Sequence, residues 1–137
     1  GEPVFDKLPA LLAHAMLSIP ATRGFEMGEG FGAAELKGSE MNDAWDDSGK
    51  PATNHAGGTS GGISNGQDLI FRTAFKPASS IARPQQALNA DGSVSELTIE
   101  GRHDPCVVPR AVPVVEAMCA MVLADLMLRK KNNRISS

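Results

Sequence analysis

Residues 85–131 read QQALNADGSVSELTIEGRHDPCVVPRAVPVVEAMCAMVLADLMLRKK, and this stretch decides the fold class. Gln85–Leu88 and Val94–Ile99 flank Asn89-Ala90-Asp91-Gly92, a turn-forming set, so residues 85–100 predict a β-hairpin. From about Arg110 to Lys131 the period changes. Val112, Val115, Cys119, Val122, Leu123 and Leu126 recur at helical spacing, and the last turn is cationic, as the helix dipole prefers. A hairpin that runs into a long helix predicts an α+β fold.

Upstream, Val4, Leu8, Leu11, Leu12, Ala15, Met16 and Ile19 predict a helix that starts near Asp6, carries Pro9 in its first turn and stops at Pro20. Thr22–Gly28 predicts a short strand, with Gly28-Glu29-Gly30 turning after it. Phe31–Lys37 predicts a short helix stopped by Gly38, and Asp68–Phe75 a further strand. Residues 39–67 show almost no periodicity and hold five glycines between 57 and 66. That composition predicts a functional loop or disorder, with residues 41–62 poorly ordered in the isolated chain. The expected architecture is a layered antiparallel sheet with two long helices.

The chain has 137 residues, enough for one compact domain, and a net charge of −3, which excludes a general nucleic-acid or anionic-membrane binder. Residues 1–60 carry nine acids and four bases; residues 61–137 carry seven acids and nine bases. Of those bases, Arg72, Lys76, Arg83, Arg102 and Arg110 lie among Gly- and Ser-rich segments where an anion can dock. Cys106 and Cys119 set no disulfide framework and read as reduced intracellular thiols. Glu116 and Asp125 interrupt the apolar run Val112–Leu128, so no membrane span is expected, and no signal-peptide pattern opens the sequence. The expected location is the cytoplasm. Gly1 in place of Met fits a start inside a longer protein.

Three segments carry chemistry. Thr53–Gly66 is rich in paired glycines, which let a backbone approach a ligand and turn its N–H groups toward an anion. Within it, Gly58-Thr59-Ser60-Gly61-Gly62 matches the hydrolase elbow G-x-S-x-G, which needs a strand before it and a helix after it. A flexible surface loop and a ligand-facing loop are the other readings. Lys76-Pro77-Ala78-Ser79-Ser80 gathers a cation and hydroxyls, which suits a phosphate or a flavin carbonyl as well as a polar strand exit. Gly101-Arg102-His103-Asp104-Pro105-Cys106 concentrates functional side chains at a strand-to-helix junction. Arg102 for an anion and Asp104 as proton acceptor is its most economical assignment, since His103 and Cys106 lack a second ligand pair for a metal. Glu116 reads as a loop-pinning or helix-pairing carboxylate, and His14 as a packed or helix-surface histidine. Met16, Met27, Met118, Met121 and Met127 read as core filler.

As a set, Gly1-Glu2-Pro3-Val4-Phe5-Asp6, Ser18-Ile19 with Ala21, Asn54–Gly58, Gly61-Gly62-Ile63-Ser64, Lys76–Ile81, Gly101–Cys106, Arg110–Pro113 and Glu116-Ala117-Met118 resemble the chorismate synthases, from Gly1 to about Asp125. The resemblance covers only the last third or so of that family, without its Gly-Glu-Ser-His-Gly segment, second active-site histidine and several substrate arginines. It implies the C-terminal part of a β-α-β sandwich over residues 1–128, with 129–137 as a basic tail. It implies reduced FMN as cofactor, 5-enolpyruvylshikimate 3-phosphate as substrate, the N-terminal part of the same enzyme as partner, and a homotetramer. NADPH-driven and external reduction of the flavin both stay open. Cofactor contacts fall on Pro20, Ala21, Gly61, Lys76, Pro77, Ala78, Ser79, Ser80 and Arg102, and Asp104 resembles the acid beside the flavin N5. Many members have Asn at Pro20 and Thr at Ala78. A stand-alone anion- or nucleotide-binding module is the alternative, and a serine hydrolase using Ser60, His103 and Asp104 a third reading.

Overall fold

The computed structural model describes residues 4–102 and 105–132. Helix α1 (Leu8–Leu17) carries Pro9 in its first turn, where a missing N–H costs no helical bond. Leu8, Leu12 and Met16 form its buried stripe, with Leu12 and Met16 fully enclosed. Ile19 and Ala111 complete the buried apolar set. The core therefore lies where α1 meets strand β1 (Thr22–Met27) and the long helix α3 (Val108–Asn132).

β1 pairs antiparallel with β4 (Phe71–Phe75), in register from Thr22↔Phe75 to Met27↔Phe71. The register shifts between Thr22 and Gly24, leaving Arg23 as a bulge beside the strand's start. Phe25 and Phe71 stack at 5.6 Å, and Arg72 Nε meets Glu26 Oε1 across the ladder at 2.7 Å. The other sheets are hairpins: β2 (Thr59–Ser60) with β3 (Ile63–Ser64), and β5 (Gln85–Leu88) with β6 (Val94–Leu97). The latter turns through Asn89–Ser93, with Asp91 accepting from the Ser93 N–H and hydroxyl.

Several expectations change. The sheets among the described residues are three separate two-stranded ladders rather than one layered sheet, and α3 alone is long, since α1 has ten residues. Residues 30–35 form a 3₁₀ turn, and Gly38 begins the short helix α2 (Gly38–Met41) instead of stopping one. The cause is Glu40, whose Oε2 accepts the Lys37 N–H at 2.8 Å and satisfies the helix start. Residues 39–67 are stitched by hydrogen bonds rather than structureless. Trp45 bridges to Pro51, Asp46 accepts from Ser48 and Lys50, and Asp43 ties down residues 53–56.

Helix α3 extends through Arg129, Lys130 and Lys131, and Arg129 pairs with Asp125 at 2.8 Å. Met121 and Met127 are exposed, not core filler, as are Val112, Val114 and Leu128. Among the described residues, one side of α3 is covered and the other is exposed. By length and composition it is apolar enough to cross a membrane despite Glu116 and Asp125, a property that core helices of soluble proteins share.

Candidate functional site

The chain leaves α1 through Ile19-Pro20-Ala21-Thr22, closed by the Thr22 N–H on the Ile19 carbonyl at 3.2 Å. Pro at the second position and φ of +70° at Ala21 make this the arrangement of a type II turn, whose third residue is ordinarily Gly or Asn. An Ala held there costs about 1–3 kcal/mol, and such strain clusters at ligand sites. The neighbour that fixes it is Lys76, whose N–H donates to the Ala21 carbonyl at 2.8 Å and prolongs the β1–β4 ladder by one bond. The Ala21 turn and Lys76, far apart in sequence, thus meet at one sheet end, with residues 77–80 leading away from it. Lys76, Pro77, Ser79 and Ser80 are exposed there, and Ala78 is half-buried.

Gly61 lies elsewhere. Gly61 and Gly62, at φ of +61° and +91°, are the two-residue turn of the β2–β3 hairpin. The Gly62 carbonyl accepts the Leu8 N–H at 2.9 Å, and a side chain at Gly62 would strike Lys7. The turn therefore sits at the N-terminal end of α1, whereas Ala21 follows the C-terminal end; ten helical residues span about 15 Å. The same hairpin overturns the hydrolase elbow. A strand, Ile63–Ser64, follows Ser60 where the elbow needs a helix.

Arg102 stands exposed in the connection from β6 to α3, and His103 and Asp104 lie outside the described residues. Glu116 is exposed at the rim of a groove between β4 and α3, lined by Phe71, Thr73, Phe75, Val112 and Val115. His14 is on the helix surface. Among the described residues no three His, Cys, Asp or Glu side chains converge as metal ligands.

Sequence reasoning missed Asp43. Its carboxylate accepts the N–H groups of His55 (2.7 Å) and Ala56 (3.0 Å), the Thr53 hydroxyl (2.8 Å) and contacts His55 Nδ1 at 3.1 Å. Burial pushes the Asp43 pKa up, but the bonds from Ala56, His55 and Thr53 and the His55 ring outweigh it and hold the carboxyl below its ordinary value. Asn54 assists by accepting the Gly58 N–H at 2.7 Å and donating to the Asp68 carbonyl at 2.9 Å. The signal was weak: an Asp in an acidic, aperiodic stretch, twelve residues before the histidine it holds.

The donor set at the Ala21–Lys76 sheet end fits an anionic cofactor with ring carbonyls such as FMN. Lys76 offers a cation beside the strained Ala21 turn, and Ser79 and Ser80 offer hydroxyls three and four residues further along the chain.

The family model described as chorismate synthase matches residues 1–128. The chorismate synthase of Opitutus terrae is 56% identical over 133 residues, covering 95% of this chain and 37% of that protein. A Synechococcus relative of the same name is 57% identical over 135 residues, again over 37% of its length. A crystal structure of chorismate synthase superposes with a TM-score of 0.67 at 35% identity, over 90% of this chain and 31% of the other. The chain spans well under half the length of the relatives it matches. With the model match running from its first residue to the last turns of α3, this chain belongs to the chorismate synthase family.

Proposed function

We propose that this chain is the C-terminal part of a cytoplasmic, homotetrameric enzyme of the shikimate pathway. The reaction is the 1,4-anti elimination of phosphate from 5-enolpyruvylshikimate 3-phosphate. A ring C–H and the C–O bond to phosphate break, a new C=C forms, and a proton and inorganic phosphate leave, giving chorismate without net redox change. The supporting observation is the bond from the Lys76 N–H to the Ala21 carbonyl, which brings together two segments that the family resemblance assigns to one cofactor.

Reduced FMN, when bound, supplies the transient electron density that helps phosphate depart. The protein's part is binding, charge and orientation. Lys76 and Arg102 provide cations for the phosphate and carboxylates that cofactor and substrate carry, Ser79 and Ser80 provide hydroxyl donors, and Pro20–Ala21 with Pro77–Ala78 shape the backbone between them. Gly61 gives close approach at the other end of α1. Asp104 accepts and passes on the ring proton at its carboxylate, a role worth about 10²–10⁴-fold in rate.

The test is Asp104→Asn in the full-length enzyme that carries this segment. Phosphate release should fall by about two orders of magnitude or more, with FMN binding little changed. Normal turnover would reduce Asp104 to a loop-pinning residue.

A further inference from the structure

The geometry points to Asp43 and His55 as a positioning pair: the carboxylate fixes the His55 ring so that Nε2 faces outward, where it binds an oxyanion of the ligand. The loop's backbone does not need this ring. Asp43 already holds residues 53–56 through the His55 and Ala56 N–H groups and the Thr53 hydroxyl. The additional contact, from Nδ1 at 3.1 Å, restrains only the imidazole. Because the carboxylate is an acceptor, Nδ1 must carry the proton.

That assignment leaves a single ring position for anything else. In the neutral ring Nε2 is the bare nitrogen; in the cation it is the only donor left. Among the described residues none is hydrogen-bonded to it. The His55 side chain is 27% exposed and that of Asp43 only 12%, so the pair opens outward on the histidine side. A cationic ring in this orientation presents Nε2–H as the one ring donor without an acceptor among the described residues.

Glu26 pairs with Arg72 and accepts from the Phe31 N–H, and Asp46 caps its own turn. Among the described residues no acceptor is bound at Nε2, and a phosphate or carboxylate oxygen has the charge to take that place. The position suits such a ligand: His55 adjoins Gly57 and Gly58 and lies in the same loop as the Gly61 turn, and its carbonyl, bound by the Glu29 N–H at 2.9 Å, fixes the loop on the end of β1. The choice of an oxyanion rests on the proposed elimination, whose substrate carries two carboxylates and a phosphate; the ring orientation does not.

The experiment uses this chain with ¹⁵N-labelled histidine. Long-range proton–nitrogen spectra near neutral pH should show the neutral fraction of His55 protonated at Nδ1. Inorganic phosphate, exchanged for chloride at constant ionic strength, should shift His55 Nε2 saturably toward its protonated position, several-fold more than His14 on the α1 surface. Asp43→Asn should abolish the selective response. A neutral ring protonated at Nε2, or a phosphate shift no larger than that of His14, overturns the proposal. Both readings come from the unaltered chain, so they stand even if Asp43→Asn disturbs the loop. Neither involves turnover, so this idea and the elimination reading can fail separately.

Discussion

At Asp43 the hydrogen bonds that build the loop also set its acid limit. The folded-state pKa lies below the unfolded value, so the carboxylate's contribution is fully present above the unfolded pKa. It is lost as pH falls through the folded pKa. Because the bonded partners are the His55 and Ala56 amides, their proton resonances should move together on acidification, with a midpoint below the ordinary Asp value of about 3.9. A midpoint at or above that value would mean that the bonds do not persist in solution. Ala21 is the opposite kind of residue. It holds a conformation that costs free energy, and its carbonyl is fixed by Lys76.

Among the elements, the β1 turn and the glycine loop meet backbone to backbone, through the Glu29 N–H on the His55 carbonyl. Gly28 has φ of +57°, and a Cβ there would collide with the His55 carbonyl oxygen and the Gly57 backbone. Gly49 has φ of +73° with open space around it. Gly49→Ala should therefore lose only the left-handed backbone penalty of about 1–2 kcal/mol. Gly28→Ala must also displace a backbone, a loss of about 4 kcal/mol or more. Urea unfolding of the two variants gives the comparison, and equal losses would show that the loop does not rest on Gly28. The regular elements were legible in the sequence because helical and alternating periods are local signals: α1, β1, β4 and the β5–β6 hairpin lie within their expected ranges, and α3 overruns its own by two residues at the start and one at the end. The glycine loop was not legible, since its order comes from Asp43, Asn54 and Gln67 bonding to distant backbone groups, which follows no period. Strands of two residues, such as β2 and β3, leave no pattern at all. For the site, residue chemistry picked out Lys76–Ser80, but only the family resemblance placed Pro20–Ala21 with it.

For the molecule as a whole, α3 presents an exposed apolar stripe. Val114, Met121 and Leu128, spaced seven residues apart, lie along it on the side of α3 away from the β4 groove. The isolated chain should self-associate through that face at micromolar concentrations, and Met121→Lys with Val114→Lys should shift sedimentation toward monomer. A wild-type chain that sediments as a monomer would mean that the face tolerates water. Met16 is core as expected, while Met121 and Met127 were misread, because helical period identifies an apolar residue's place on a stripe but not whether that stripe is covered. The β1–β4 ladder has a different consequence. Its strands enclose residues 28–70, so forming it closes a long loop whose entropy grows only logarithmically with length, about 0.6 kcal/mol per doubling. Extra residues inserted in the exposed Asp47–Gly49 turn would add little to that cost. An insertion at Gly57, whose carbonyl accepts the Ile70 N–H, would break the enclosure from within.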